Sequence, residues 1–180
     1  GFIRLARGFR APQATELYRL QRAQQITDLD SESIDSLEIG LKGNSNLLSY
    51  KLAIYYMEKD HVIFRDSSFF NVSDGETQHR GVELELDYDI NEQWSLGLSA
   101  TQASHTYRNS TVLGGVDIRG NDIDTAPKHF GSARLAFTPS DRQSLELEWQ
   151  SMGSYYLNPE NLHRYEGHNL LHLRAGWSVS

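Results

Sequence analysis

From Val82 to Ile90 the chain alternates without a break. Every even position is apolar (Val82, Leu84, Leu86, Tyr88, Ile90), and every odd one from Glu83 is acidic (Glu83, Glu85, Asp87, Asp89). Successive side chains of a β-strand point to opposite faces, so this segment predicts a strand with one apolar and one charged face. A helix would scatter the acids round its circumference. Asn91-Glu92-Gln93 breaks the pattern, and alternation restarts with Trp94, Leu96, Leu98 and Ala100 opposite Ser95, Gly97, Ser99 and Thr101. The pair predicts a hairpin with a short turn.

The same pattern recurs along the chain. Gly1–Arg10 reads as a short extended piece with Ile3 and Leu5 on one side, and Ala11–Leu20 as a corner with a helical turn. Leu37, Ile39 and Leu41 alternate with Ser36, Glu38, Gly40 and Lys42. After the turn Gly43-Asn44-Ser45-Asn46, a long strand runs from about Leu47 to Phe64, with Leu48, Tyr50, Leu52, Ile54 and Tyr56 on one face. The strand from Trp94 continues through His105 and Tyr107. Ala133, Leu135 and Phe137 begin a further hairpin, completed by Leu145, Leu147 and Trp149. His168–Ser180 places Leu171, Leu173, Ala175, Trp177 and Val179 together. This gives about eight antiparallel strands. Short turns near Gly43, Asn91 and Ser140 alternate with long loops at Gln21–Asp30, Arg65–Glu76, Asn109–Thr125 and Asn158–Gly167. One edge of the sheet therefore carries tight turns and the other carries long polar loops.

The totals narrow the choice. The 180 residues suit one domain, and a net charge of −7 argues against nucleic-acid binding. The absence of Cys excludes disulfides, thiol nucleophiles and Cys-based metal sites. The chain starts at Gly1 without a signal-peptide pattern, so an internal fragment is expected. A mean hydropathy of −0.55 suits a soluble protein. It also suits a transmembrane barrel, whose strands alternate lipid-facing and lumen-facing residues.

Three features favour the barrel. Several predicted strands reach the 9–11 residues, approximately, that cross a bilayer when tilted. Aromatics (Tyr50, Tyr56, Trp94, Trp149, Trp177) sit near the ends of the apolar faces, as interfacial girdles do. The opposite face carries more charge than a small packed interior tolerates, whereas a wide wet lumen accommodates it. The fold class expected is all-β: an antiparallel transmembrane β-barrel segment.

Ala6-Arg7-Gly8-Phe9-Arg10-Ala11-Pro12, followed by Glu16-Leu17-Tyr18, resembles the GFRAP…ELY signature of TonB-dependent outer-membrane receptors. In that family the signature lies at an upward strand and the start of an extracellular loop. Ser36–Gly43, Arg80-Gly81-Val82-Glu83-Leu84-Glu85 and Ala126-Pro127-Lys128-His129 resemble further family strands, in the family's order. The resemblance implies a barrel of about 22 strands, plugged by an N-terminal domain. It also implies import of ferric siderophores, haem, cobalamin or another scarce nutrient, driven through TonB. The partners implied are outer-membrane lipid, the plug domain of the same chain, the TonB complex through an N-terminal region, and an iron complex or similar ligand. No cofactor and no nucleic acid are expected. Residues 1–180 lack the plug, the TonB box and the family's terminal aromatic strand, so about two further strands are expected beyond Ser180. Two other readings stand beside this one. One is a small outer-membrane barrel of structural or adhesion type. The other is a soluble all-β carbohydrate-active enzyme.

The candidate chemistry is sparse. Glu83, Glu85 and Asp87, like Glu146 and Glu148, are same-face carboxylates roughly 7 Å apart, a spacing that an inverting glycosidase uses. None is isolated among apolar residues, and with Arg174 they read as lumen-facing wall. His168 and His172, roughly 13 Å apart in a strand, cannot share an ion, whereas His163 and His168 could converge. No metal site is expected. His79, His105 and His129 fall near the loop-side ends of strands, as polar rim or as ligand contacts. Tyr18, His105, Tyr107, Arg108, Tyr155 and Tyr156 are the candidate ligand-binding residues of the extracellular rim. No catalytic residue is expected, because no nucleophile–base–orienter set appears.

Overall fold

The alternating segments pair with their neighbours in the chain, each turned back by the punctuation between them. The computed structural model describes residues 1–18, 28–65 and 70–178. β1 (Phe2–Arg10) leads into a single helical turn, α1 (Ala14–Leu17), and then β2 (Glu32–Asn44), β3 (Leu48–Arg65), β4 (Asn71–Asp89) and β5 (Trp94–Tyr107). Two two-residue strands follow, β6 (Val112–Leu113) and β7 (Val116–Asp117), and then β8 (His129–Ser140) and β9 (Gln143–Met152). The short β10 (Tyr155–Tyr156) and β11 (Arg164–Tyr165) precede β12 (His168–Trp177). The eight long strands form one antiparallel sheet in the order β1-β2-β3-β4-β5-β8-β9-β12. Among the described residues β1 and β12 do not pair, so the sheet is open, unlike the closed eight-stranded barrel considered as an alternative.

Register turns the separate apolar stripes into a continuous belt. Tyr50, Leu86, Leu98, Ala133, Trp149 and Leu171 are successive cross-strand partners, and so are Leu48, Tyr88, Leu96, Leu135, Leu147 and Leu173. On β2 and β3 the belt continues through Ile39 opposite Ile54 and Leu41 opposite Leu52. It is bounded by Trp94, Phe137 and Trp177 towards the tight turns, and by Tyr56 and Trp149 towards the long loops. Trp94 stacks on its partner Phe137, ring centroids 4.4 Å apart.

Nothing in the described structure covers this belt. Leu173 is 70% exposed and Ile54 58%, and among the described residues the buried apolar side chains are Ala53, Ala103 and Ile118. A soluble sandwich would bury such a face against a second sheet. A face this apolar and this bare is matched to hydrocarbon, and the aromatic borders are matched to the two interfaces of a bilayer. Among the described residues no helix is long and apolar enough to cross a membrane.

Several boundaries differ from the sequence expectation. Within the expected loop Arg65–Glu76, residues 71–76 belong to β4, which starts at Asn71 and pairs back to Arg65. The reason lies at His61, whose backbone is left-handed (φ 58) and where the β3–β4 register shifts. This bulge lets the polar stretch stay paired and turns Val62 opposite Gly75 and Phe64 opposite Val72. The Asn109–Thr125 segment carries the β6–β7 hairpin, and the Asn158–Gly167 segment carries β11. The helical turn is confined to Ala14–Leu17, and the last strand ends at Trp177. Expectations for residues 19–27, for residues 66–69 and for Val179 and Ser180 lie outside the described residues.

Candidate functional site

Every long connection leaves the same edge of the sheet, so the elaborated end is where side chains from distant segments meet. At its β1 side the Arg10 guanidinium holds two carboxylates. Nε and Nη2 donate to Glu32 at 2.8 and 2.7 Å, and Nη1 and Nη2 donate to Glu16 at 3.0–3.2 Å. Glu16 also accepts the Gln13 backbone N–H at 2.6 Å, closing the first turn of α1. Glu32 accepts the Ile63 N–H at 2.9 Å, and Asn71 Nδ2 donates to the Glu16 carbonyl at 2.9 Å. The motif residues Arg10 and Glu16 thus tie β1, α1, β2, β3 and β4 into one corner. The hydrogen bonds from Arg10 hold both carboxyls below the usual glutamate range. Tyr18 ends α1, exposed, beside a shallow depression lined by Ile63, Phe64, Arg65 and Asn71.

A second cluster lies on the charged face of β4 and β5, above the belt, whose last apolar residues there are Val82 and Ala100. His79 and His105 are cross-strand partners with their Nδ1 atoms 2.9 Å apart. His79 Nε2 is 3.0 Å from Thr77 Oγ1. Burial, the neighbouring His105 and Lys59 together push the His79 pKa down to about 4. Burial lowers that of His105 as well, against an opposing pull from Asp122. Tyr107 donates to Asp124 Oδ1 at 2.7 Å, and burial with that carboxylate raises the phenol. Thr77, His79, Tyr107 and Asp124 border a cavity of about 420 Å³. The bulged Val62 and Phe64, with Leu113, Ile118 and Ile123, form its apolar side, and Lys59, Thr77, His79, Tyr107 and Asp124 its polar side.

The two long loops over this face are locked together. Asn121 Nδ2 donates to the Pro159 carbonyl (2.9 Å), the Asp122 N–H to Asn161 Oδ1 (2.9 Å), and Asn161 Nδ2 to the Asp122 carbonyl (2.8 Å). The Thr125 N–H reaches the Tyr156 carbonyl at 2.8 Å. Tyr155 and Tyr165 have ring centroids 5.2 Å apart, and the Tyr165 hydroxyl is 2.9 Å from His168 Nδ1.

Of the candidate rim residues, His105 and Tyr107 therefore share one polar cluster. Tyr155 and Tyr156 belong to the neighbouring loop pair, and Tyr18 stands apart by α1. Arg108 pairs with Glu58, which also accepts the Tyr56 hydroxyl, on the apolar-face side of the wall. Among the described residues no group of three or more His, Cys, Asp or Glu forms a metal centre. The roles of Lys59, Asp122, Asp124 and Asn161 were not legible in the sequence. The His79–His105 contact had a signal: counting outward from the turn, with Ile90 level with Trp94, brings the two opposite.

The carboxylate wall is largely ion-paired. Arg134 reaches Asp87 at 3.5 Å across Gly97 and Glu146 at 3.9 Å, while Arg174 bonds Glu146 and, at 2.7 Å, Glu148. Glu83 and Glu85 line the same face. Of the described wall acids, Asp87, Glu146 and Glu148 are each held by an arginine.

The family model described as "TonB dependent receptor-like, beta-barrel" matches residues 2–180. No curated protein matches the sequence. Among solved structures the chain is similar to the ferric yersiniabactin uptake receptor FyuA from Yersinia pestis. The TM-score is 0.79 at 16% identity, over 97% of this chain and 27% of that one. It is also similar to the ferric-catecholate import receptor Fiu from E. coli K12 (0.75, 16%, 99% and 26%). BauA, the ferric preacinetobactin receptor from Acinetobacter baumannii, gives 0.66 at 21%, over 97% and 26%. The chain spans about a quarter of the length of these structures.

Proposed function

Because the chain belongs to the TonB-dependent receptor-like β-barrel family of the bacterial outer membrane, we propose that it is one part of the barrel wall of a receptor that imports a scarce nutrient by TonB-coupled transport, the cargo being a ferric siderophore. The observation that carries this reading is the inversion of the sheet: its large apolar residues stand bare on one face, and the ion pairs of Arg134 with Asp87 and of Arg174 with Glu148 line the other. On this reading the belt faces lipid, the charged face lines the lumen, and the tight turns lie at the periplasm. The tied loops and the His79–Tyr107 cluster form part of the extracellular mouth. The ferric cargo is supported by relatives of the same fold that are ferric-siderophore receptors. The plug of the same chain and the TonB complex supply gating and energy, and covalent chemistry on the cargo plays no part.

The test is to fold the full receptor containing this segment into detergent or lipid. Heat-modifiable gel mobility with β-type circular dichroism is expected, followed by saturable binding of a ferric siderophore. Folding in plain buffer as a monomer would overturn the barrel. Binding of haem or cobalamin instead would leave the barrel standing and remove the siderophore.

A further inference from the structure

Odd-numbered residues of β5 direct their backbone groups away from β4. The Ile123 N–H donates to the His105 carbonyl at 2.9 Å and the Ala103 N–H to Lys128 O at 2.8 Å, while the Arg108 N–H turns to Glu76 O. His79 and His105 are therefore a non-hydrogen-bonded cross-strand pair, the kind in which opposed side chains stand closest. Their placement is rigid, because each is carried on a paired strand and the loop segment at Ile123 flanks β5. Two Nδ1 atoms 2.9 Å apart subtend roughly 90° at an ion bound about 2.0–2.1 Å from each. That is the bite of a tetragonal site with nitrogen and oxygen ligands, the geometry that suits Cu²⁺ or Ni²⁺. Tetrahedral zinc would ask the nitrogens to stand further apart.

We propose that His79 and His105 form a two-nitrogen chelating site for Cu²⁺, and more weakly Ni²⁺, on the charged face at the mouth, with the remaining ligand positions open to the adjoining cavity. Binding breaks the contact between the two Nδ1 atoms. The proton it carried moves to Nε2 of the same ring, so both imidazoles stay neutral and each presents an Nδ1 lone pair. In His79 that Nε2–H then donates to Thr77 Oγ1, already 3.0 Å away, which fixes the ring tautomer. The cavity of about 420 Å³ bordered by His79 admits water or the oxygen atoms of a small ligand to the open positions. Only two protein ligands converge, so the site is exchangeable rather than structural. The charged groups facing the pair are Lys59 on β3, Asp122 with its partner Lys128 (2.8 Å), and Asp124 held by Tyr107. Burial lowers the pKa of both imidazoles, which favours the neutral form. The site is read from the histidines alone and stands or falls independently of the cargo.

The experiment uses the full receptor in detergent, with Cu²⁺ itself as the probe. Calorimetric titration is expected to show a site that His79→Gln and His105→Gln each weaken by roughly tenfold or more, and Thr77→Val by on the order of tenfold. Unchanged affinity in both histidine variants, or no binding by the unmutated receptor, overturns the site. The unmutated protein gives a second readout that needs no variant to fold. With bound Cu²⁺ and ascorbate, oxidised histidine mapped by mass spectrometry is expected at His79 and His105. Oxidation confined to other histidines overturns the proposal.

Discussion

At the scale of single residues the sheet depends on positions where one side chain occupies the space above a neighbour that has none. Tyr55 lies over its cross-strand partner Gly81, and a Cβ added there would stand 2.6 Å from the Tyr55 hydroxyl and 2.8 Å from the Gln102 carbonyl. Gly81→Val is expected to destabilise the folded receptor by about 1–3 kcal/mol, the cost of overpacking, read as a lower urea midpoint in lipid. Arg10 is the other residue on which much converges. Glu16 and Glu32 have folded-state pKa values below the ordinary 4.5. A group depressed on folding contributes its stability above the unfolded pKa and loses it as pH falls through the folded one. The Arg10 corner is thus expected to hold at neutral pH and to open only as the pH falls below the ordinary glutamate value and through the lowered folded-state values. Arg10→Ala is expected to open it at every pH, at a local cost of roughly 1–2 kcal/mol. Amide exchange at Glu16 and Leu17, corrected for the intrinsic pH dependence, separates the two cases.

The two faces of a single strand have different solvents, and β4 shows this within adjacent residues. Leu84 lies in the belt between Leu52 and Ala100, and Glu85 is on the charged face between Lys51 and Ser99. Leu84→Arg is expected to cost about 2–4 kcal/mol, the penalty of a cation near the bilayer midplane. Glu85→Gln is expected to change stability by less than about 0.5 kcal/mol. A pair of equilibrium unfolding curves in lipid vesicles checks both, and equal effects would contradict the assignment of faces. The bulge at His61 acts on β3 in a similar way. By shifting register it brings apolar Val62 and Phe64 to the cavity, where Ile118 from the β5–β8 loop is buried against the wall.

For the whole molecule, stability does not come from a protein core. Three buried apolar residues among those described cannot hold a domain of 180 residues together. What remains is strand pairing along eight strands, ion pairs across the charged face and transfer of the belt into hydrocarbon. The acidic balance of −7 does not oppose this, because Arg134 and Arg174 take up Asp87, Glu146 and Glu148. Among the described residues of the loop-bearing end, Arg10, Asn161 and Tyr107 each tie segments far apart in the chain.

Alternation is a local property with a period of two, so the strands, their faces and the alternation of tight turns with long loops were all present in the residue order. Val82–Asp89 needed no partner to declare which side it turns to lipid. The motif Gly8–Pro12 with Glu16–Tyr18 likewise carried the family. Tertiary structure decided whatever depends on two distant segments meeting. Nothing near Arg10 announces Glu32, Asn71 or Ile63 as the other members of its corner. The paired start of β4 at Asn71 was hidden because polar residues there read as a loop until the β3 bulge supplies a partner. His79 and His105 became a pair only when the hairpin register set them opposite. Asp122, Asp124 and Asn161 took their places because long loops fold back by hydrogen bonds rather than by any hydrophobic period.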